Sequence, residues 1–238
     1  MSIYSLIFQI VLIFILGSSI ASFLNVTALS VPINRNWWSR RSACPHCQTI
    51  LTPLQLIPIV SFIVQVGRCK SCHVKISPRY LLTEIAGGLL FTSPLIFIPN
   101  PYFYLLQTWI FFSFLLIITL TDLYYQIIPN KILITFGIPL FLLQQNIITA
   151  IIGFLYFYGI TLLGKILFKK ETLGGGDIKT FLVIGLVLEI PSLFLSITIS
   201  SAIALMYILI FVKNKKEAIP FAPFIALGTL IAYILSFQ

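Results

Sequence analysis

Two aspartates, Asp122 and Asp177, have the residue type and the surroundings that catalysis by carboxylates requires. They belong to a set of only six acidic residues in a chain of 238, and each lies at the edge of a long hydrophobic stretch. A carboxylate at bilayer depth costs roughly 2.5–3.5 kcal/mol on insertion scales, so one found near that depth is a candidate functional residue. Two carboxylates within reach of one water can act as base and acid in peptide hydrolysis. We therefore predict that this pair cuts peptide bonds at the margin of a membrane.

Asp177 ends a run of three glycines, Gly174, Gly175 and Gly176, and Lys179 follows it by two residues. Glycine tolerates positive φ and has no Cβ, so a substrate backbone could approach the carboxylate closely at these positions. Lys179 either lowers the pKa of Asp177 or serves as plain cytoplasmic positive charge. We expect the three glycines and Lys179 to border the substrate.

Each aspartate also has a simpler explanation. Asp122 could be an interfacial cap or an ion-pair partner of Lys131. Asp177 could cap the helix that follows it, because the helix dipole favours a carboxylate at the N-terminus. Spacing alone does not decide between these roles and catalysis.

The four cysteines form two Cys-x-x-Cys pairs, Cys44 with Cys47 and Cys69 with Cys72. Two such knuckles supply the four thiolates that zinc prefers in a closed structural site. Residues 48–68 separate the pairs, which is slightly beyond the upper end of the zinc-ribbon spacing. Two disulfides, redox-active pairs or unpaired thiols are the alternatives, but a reducing cytoplasm favours metal. We predict a structural zinc ion, with His46 and His73 as bystanders.

The composition is that of a polytopic membrane protein. Hydrophobic residues make up 59% of the chain and charged residues 9%, whereas a soluble domain carries about 25% charged residues. A net charge of +9 would indicate nucleic acid as the partner of a soluble protein. Here topogenic charge in cytoplasmic loops explains it better. We therefore expect membrane lipid, and no nucleic acid, as a partner.

Hydrophobic runs divide the chain into a first helix at 1–24, a polar loop at 25–79 and a helical membrane domain at 80–238. The first helix covers 3–24, and further helices are predicted at 80–98, 102–121, 131–145, 147–167, 180–190, 192–212 and 219–237. The predicted fold is all-α and polytopic, with about eight transmembrane helices, or six if some runs are re-entrant or merged. The loop between the first two helices is predicted to be cytoplasmic and zinc-ribbon-like.

The basic residues favour one orientation. With the loop in the cytoplasm and eight helices alternating across the membrane, the cytoplasmic segments contain all 15 Lys and Arg, as the positive-inside rule requires. Those segments are 25–79, 122–131, 165–179 and 213–217. Asp122 and Asp177 then lie on the same, cytoplasmic, side.

Taken together, these motifs resemble the type IV prepilin peptidase family of membrane aspartyl proteases. The similarity covers most of the chain and includes both cysteine pairs, both aspartates and Glu84. The other matching stretches are 21–26, 41–47, 56–58 with Ser61, 67–72, 76–80, 128–130, 174–179 and 220–224. Ala21 and Ala222 stand where the family usually has glycine.

The resemblance implies a peptidase in the bacterial cytoplasmic membrane with its active site on the cytoplasmic side. Its substrates would be prepilins or pseudopilins, cut after a glycine between a short basic leader and a hydrophobic helix, and Asp122 and Asp177 would be catalytic. Glu84 would contact the new amine or the basic leader, or else form a salt bridge with Arg79 or with a cytoplasmic lysine. Many members then N-methylate the new N-terminal residue, and the four-cysteine motif is typical of that branch. The implied cofactors are therefore zinc and S-adenosylmethionine.

Three other functions agree with parts of the sequence. A peptidase of this family that does not methylate would share these motifs. A zinc-ribbon membrane scaffold or assembly factor would need the cysteines but not the aspartates. A proton-coupled transporter would have Asp122 and Asp177 nearer the membrane midplane.

Overall fold

The computed structural model describes residues 3–34, 41–168, 174–212 and 219–237. The chain divides into two compact units, Met1–Ile96 and Phe97–Gln238. Helices dominate the described part of each unit, and β-pairing is confined there to two isolated bridges.

The first unit is built on two long helices, α1 (Ile3–Ser30) and α3 (Pro78–Phe97). Between them in the chain come a 3₁₀ turn (Pro53–Leu56) and a short helix, α2 (Val60–Val64).

Small residues set the contact between α1 and α3. A Cβ added to Gly17 would lie 2.6 Å from the Cβ of Phe91, and one added to Gly87 would overlap the side chain of Ala21. Close approach through small residues is the usual basis of helix packing in membranes. The run of small residues late in α1 is therefore a packing surface.

The second unit contains six described helices. They are α4 (Pro101–Tyr125), α5 (Asn130–Gln144), α6 (Ile147–Phe168), α7 (Gly175–Val187), α8 (Ile190–Phe211) and α9 (Ala222–Leu235). A proline in the first two positions opens α4, α8 and α9, where its missing N–H costs nothing.

Two glycines bring the helices of this unit together in pairs. A Cβ on Gly185 of α7 would lie 2.6 Å from Cα of Ala150 in α6, and one on Gly228 of α9 would lie 2.6 Å from the backbone nitrogen of Ser200 in α8. Any side chain at these two positions would push the helices apart.

Helix α9 runs antiparallel to α4. Near the start of α4, the hydroxyl groups of Thr108 and Tyr233 form a hydrogen bond of 2.7 Å, and the ring of Phe111 lies 5.3 Å from that of Tyr233. Because the C-terminal part of α9 contacts the beginning of α4, the N-terminus of α9 lies beside the end of α4.

All eight predicted helical segments are helical in the structure, in the predicted order. Five described helices, α1, α3, α4, α6 and α8, are long and apolar enough to cross a membrane. Helices α5, α7 and α9 have 15, 13 and 14 residues, so eight crossings remain a prediction.

Two predicted boundaries differ from the structure near the aspartates. Helix α4 continues to Tyr125 instead of ending at 121, because Gln126 adopts a left-handed conformation (φ 55°) and its amide bonds to the carbonyl of Asp122. Helix α7 begins at Gly175 instead of 180, since a carboxylate in the first turn offsets the poor helix propensity of glycine. Both aspartates are therefore helical residues.

Candidate active site and metal centre

Asp122 lies in the last turn of α4 with only 6% of its surface exposed. Its Oδ2 atom accepts a hydrogen bond of 2.8 Å from the backbone amide of Ala222, the first residue of α9. The amide of Phe221 also donates to this carboxylate. The first N–H groups of a helix lack partners within it and carry partial positive charge. The N-terminus of α9 therefore supplies two donors that favour the ionised form of the buried Asp122 carboxylate.

The sequence at the start of α9 explains this contact. Pro220 and Pro223 flank the two donor residues. Proline has no N–H and fixes its own φ, so it favours a helix start at which neighbouring amides stay free to bind another group. The side chain of Ala222 is fully buried, and a larger residue there would displace the amide from Asp122.

Asp177 occupies the first turn of α7, outside the five candidate spans. Its carboxylate folds back over Gly174, where a Cβ would lie 3.2 Å from Asp177 Oδ2. Burial and, after it, the negative charge of Asp122 raise the pKa of Asp177 to about 6, against the opposing effect of a hydrogen bond with the Gly174 backbone. Carboxylates that disfavour each other's ionisation lie within interaction range, so the two aspartates are near enough to affect each other.

The segment just after α4 brings the two aspartates together. A Cβ on Gly176 would lie 3.1 Å from the Cβ of Ile128, so α7 packs directly on this segment. Lys179 Nζ donates a hydrogen bond of 3.0 Å to Asn130 Oδ1. Gly176 and Lys179 flank Asp177 on either side, so these two contacts fix the start of α7 against the end of α4.

The three glycines differ in their surroundings. Gly174 lies under the Asp177 carboxylate and Gly176 lies against Ile128, whereas a Cβ on Gly175 would meet nothing within 4 Å. Gly175 is also exposed. Gly174 and Gly176 are therefore small for reasons internal to the protein, and Gly175 is the glycine with room for a substrate beside it.

The contact between Lys179 and Asn130 can be tested with a double-mutant cycle on the peptide-cleavage rate. Lys179→Ala and Asn130→Ala should each lower kcat, because either change frees the start of α7. The double variant should lose about 1 kcal/mol less transition-state stabilisation than the sum of the single losses. Steady-state kinetics of the four proteins measures this coupling. Fully additive losses would show that the contact does not help to position Asp177.

Glu84 lies within the first unit, in α3, with 8% of its surface exposed. Its Oε1 atom accepts a hydrogen bond of 2.8 Å from Ser22 Oγ, and Oε2 accepts one of 2.7 Å from the amide of Ile59. Both carboxylate oxygens thus have partners within the unit. The predicted contact of Glu84 with substrate stays a prediction.

The four cysteines, Cys44, Cys47, Cys69 and Cys72, converge on one point of the first unit. Their sulfur atoms all lie within 4.8 Å of one another, and two of the separations, Cys44 to Cys72 and Cys47 to Cys69, are 3.9 Å. A tetrahedron of Zn–S bonds of about 2.3 Å has S···S edges of about 3.8 Å. The four thiols are free, so their arrangement fits a four-thiolate zinc ion and could hold one.

The two cysteine pairs are presented by equivalent backbone turns. The amide of Cys44 donates to the carbonyl of Thr49, and the amide of Cys69 donates to that of Val74. An antiparallel bridge closes each turn, Ala43 with Ile50 and Arg68 with Lys75. Each turn thus directs two sulfur atoms to the shared centre, and neither His46 nor His73 is part of the cluster.

Sequence reasoning missed the partners that position the predicted site residues. These are the amides of Phe221 and Ala222, Ile128 and Asn130 beside α7, and Ser22 and Ile59 on Glu84. Most of these partners lie in stretches that match the prepilin peptidase family but for which the sequence predicts no specific role. The two prolines around Phe221 and Ala222 were the available signal, because they mark a helix start with free amides.

The fold and the site define a multi-pass helical membrane protein with a pair of interacting carboxylates and a four-cysteine cluster. Two family models match the chain: the bacterial peptidase A24 N-terminal domain over residues 15–97 and the type IV leader peptidase family over residues 109–209. The chain belongs to the type IV leader peptidase family.

Curated relatives agree over most of the chain. It is 34% identical to a prepilin leader peptidase/N-methyltransferase of Bacillus subtilis, with 94% of this chain and 93% of the relative covered. It is 31% identical to a type 4 prepilin-like proteins leader peptide-processing enzyme of Escherichia coli, with 82% and 76% covered. A prepilin leader peptidase/N-methyltransferase of Aeromonas hydrophila is 30% identical, with 94% and 89% covered. No solved structure gives a significant match.

Proposed function

We propose that this protein cleaves the leader peptide from type IV prepilins or pseudopilins, with Asp122 and Asp177 as the catalytic carboxylates. The observation that carries the proposal is the unequal setting of the two groups within one site. Two backbone amides hold Asp122, while burial and the neighbouring charge keep a proton on Asp177 up to a pH of about 6. One ionised and one protonated carboxylate is the arrangement that aspartyl proteolysis needs.

The chemistry follows from this asymmetry. Asp122 takes a proton from water as the resulting hydroxide forms a bond to the scissile carbonyl carbon, and Asp177 gives its proton to the carbonyl oxygen. When the C–N bond breaks, the proton held by Asp122 passes to the leaving amine, and Asp177 regains its proton from the tetrahedral diol. The exposed position of Gly175 lets the substrate backbone reach the pair.

The pH dependence of kcat/KM should report the ionisation of Asp177. Since the protonated form acts as the acid and its pKa is raised to about 6, kcat/KM should fall as pH rises through 6, by about tenfold per pH unit well above it. Initial rates of peptide cleavage between pH 5 and 8 test this. A profile that is flat across this range would contradict the assignment of Asp177 as the acid.

The site is placed at the cytoplasmic face of the bacterial cytoplasmic membrane. The positive-inside rule supports this orientation, because the loops on the side of the two aspartates carry the Lys and Arg residues. A prepilin crosses the same membrane by its hydrophobic helix, with its basic leader in the cytoplasm. The cleavage point and the aspartate pair are then at the same depth.

The same protein then N-methylates the new N-terminal residue with S-adenosylmethionine. The names of the relatives in Bacillus subtilis and Aeromonas hydrophila support this second activity. S-adenosylmethionine would supply the methyl group, and we assign no residue to its binding.

The metal of the cysteine cluster is zinc in a structural role. Four thiolates complete a tetrahedron and leave no open coordination position for water, so the ion closes the loop between α1 and α3 and takes no part in hydrolysis. A scaffold without catalytic activity would also need this metal, but it would not need a pair of interacting aspartates. The peptidase is therefore the favoured function.

The deciding experiment follows a synthetic prepilin peptide with a basic leader, a glycine and a following phenylalanine. Mass spectrometry of the products, with and without S-adenosylmethionine, should show a cut after the glycine and then a single added methyl on the mature peptide. A peptide with the glycine replaced by a bulky residue serves as the control. If folded, zinc-loaded protein leaves several prepilins intact, the proposal fails.

A further inference from the structure

The chain between the two cysteine knuckles exposes an apolar surface. Leu54, Ile63, Val64 and Val66 have 75%, 63%, 75% and 81% of their surfaces exposed. No Lys, Arg, Asp or Glu occurs between Arg41 and Arg68. A contiguous exposed apolar surface of this kind marks a contact with a membrane or another protein. The segment 53–66, which contains the 3₁₀ turn and α2, is called the inter-knuckle segment below.

Glu84 fastens this segment to the flanks of two membrane helices. Its carboxylate binds the Ile59 amide and the Ser22 hydroxyl, and α1 and α3 are both candidate spans. At 1.5 Å per residue, Glu84 lies about 9 Å along the axis from the start of α3. The segment therefore does not sit on top of the helices but alongside them, at a depth where they are apolar.

The turn before α2 reaches further along α1. A cavity of about 210 Å³ lies between residues 57–60 and Phe14, Ile15 and Ser18 of α1. Ser18 is about 18 Å along the axis from the end of α1. The wall of this cavity is almost entirely apolar, which suits a lipid acyl chain.

Most backbone amides of α2 and of the turns on either side of it have acceptors within the protein. In lipid every backbone N–H needs an internal partner. The amides of Val60, Ser61 and Ile63 bond to carbonyls of Pro58, Ile57 and Ile59, and those of Gln65, Val66 and Gly67 bond to Ser61, Ile63 and Phe62. The Ile59 amide precedes the helix and has Glu84 as its acceptor.

The backbone of Ile59 indicates that its hydrogen bond to Glu84 sets the conformation of the turn before α2. Its φ is 64° and its ψ is −54°, and the Val60 amide bonds to the Pro58 carbonyl across it, which is the rare and strained classic γ-turn. The hydrogen bond to a buried carboxylate holds the residue there, and the turn aims α2 and its apolar side chains outwards.

We propose that the inter-knuckle segment is inserted among lipid acyl chains, in the leaflet where α1 ends and α3 begins, and that Glu84 is the positioning residue that holds it there. Arg68, which is exposed, follows the segment by two residues, where its charge meets lipid headgroups. The loop that carries the metal cluster is then tied to the membrane between its two halves. This placement does not depend on the peptidase activity.

Contact with lipid can be tested by replacing each of three exposed valines in turn in the full-length, zinc-loaded protein. A photo-crosslinking residue, p-benzoylphenylalanine, is placed at Val11 in α1, at Val64 in α2, or at Val74 in the second knuckle, all three of which are exposed. The proteins are reconstituted in vesicles of phosphatidylethanolamine and phosphatidylglycerol at three to one and irradiated. Mass spectrometry should find phospholipid adducts at Val11 and Val64 in similar yield, and at least fivefold less at Val74.

Position 64 decides the outcome, with Val11 as the reference for a lipid-facing site. Adducts at Val11 but not at Val64, or equal yields at Val64 and Val74, would overturn the proposal. Glu84→Ala should lower the yield at Val64 several-fold while zinc stays bound, and Glu84→Gln, which keeps one acceptor oxygen, should restore part of it. An unchanged yield in Glu84→Ala would remove the positioning role of Glu84.

Discussion

Asp122→Asn and Asp177→Asn should each reduce prepilin cleavage by about 10²–10⁴-fold in kcat. Asparagine keeps the size of the side chain, but it can neither accept the proton of water as Asp122 does nor donate an acidic proton as Asp177 does. The measurement is the initial rate of peptide cleavage by mass spectrometry. KM should change much less than kcat, because the lost interactions belong to the transition state.

Glu189→Gln is the matched control for these two changes. Glu189 is exposed at the N-cap of α8, so its substitution removes a negative charge without touching the aspartate site, and cleavage should be unchanged. The double variant Asp122→Asn/Asp177→Asn should be no worse than the single variants, since residues that act as a unit have non-additive effects. Cleavage that survives both single substitutions would refute the aspartate-pair mechanism.

Cys44→Ser should reduce bound zinc from one ion per chain to a small fraction. Serine has nearly the same shape, but it replaces the thiolate that completes the tetrahedron. Structural zinc sites contribute on the order of 10 kcal/mol to the folding of small metal-binding modules. Residues 41–76 should therefore become sensitive to limited proteolysis. The zinc content of the purified protein is measured by elemental mass spectrometry, and proteolysis is followed by mapping the cut sites.

His46→Asn tests whether the metal set consists of the four sulfurs alone. His46 lies in the first knuckle but outside the cluster, so this variant should keep its zinc and its resistance to protease. Loss of zinc from His46→Asn, or full retention by Cys44→Ser, would contradict a four-cysteine site.

The residues proposed to carry the chemistry are visible in the sequence because their types are rare in this chain. Six acidic residues and four cysteines in 238 leave few candidates. The glycines before Asp177 and the Cys-x-x-Cys spacing are also recognisable as motifs. Helix positions were also predictable, since apolar runs of about twenty residues have one explanation in a membrane protein.

The supports of the site were not predictable in the same way. Asp122 and Ala222 are 100 residues apart, and the donor is a backbone amide, which every residue except proline possesses. Lys179 was weighed as a charge near Asp177, whereas in the structure it binds the neutral side chain of Asn130. The ends of α4 and α7 depend on single residues, because Gln126 adopts a left-handed conformation after α4 and Gly174 is the extended N-cap of α7.

The hydrogen bond from Ala222 to Asp122 also has a consequence for biosynthesis. A ribosome that has made α4 through α8 has delivered both aspartates, but the amides that secure the first of them arrive only with α9. Until this helix forms beside α4, the carboxylate lacks the two amides that donate hydrogen bonds to it. On the proposed mechanism, a partly synthesised chain is therefore expected to be inactive, and proteolytic competence is expected only after α9 has formed beside α4.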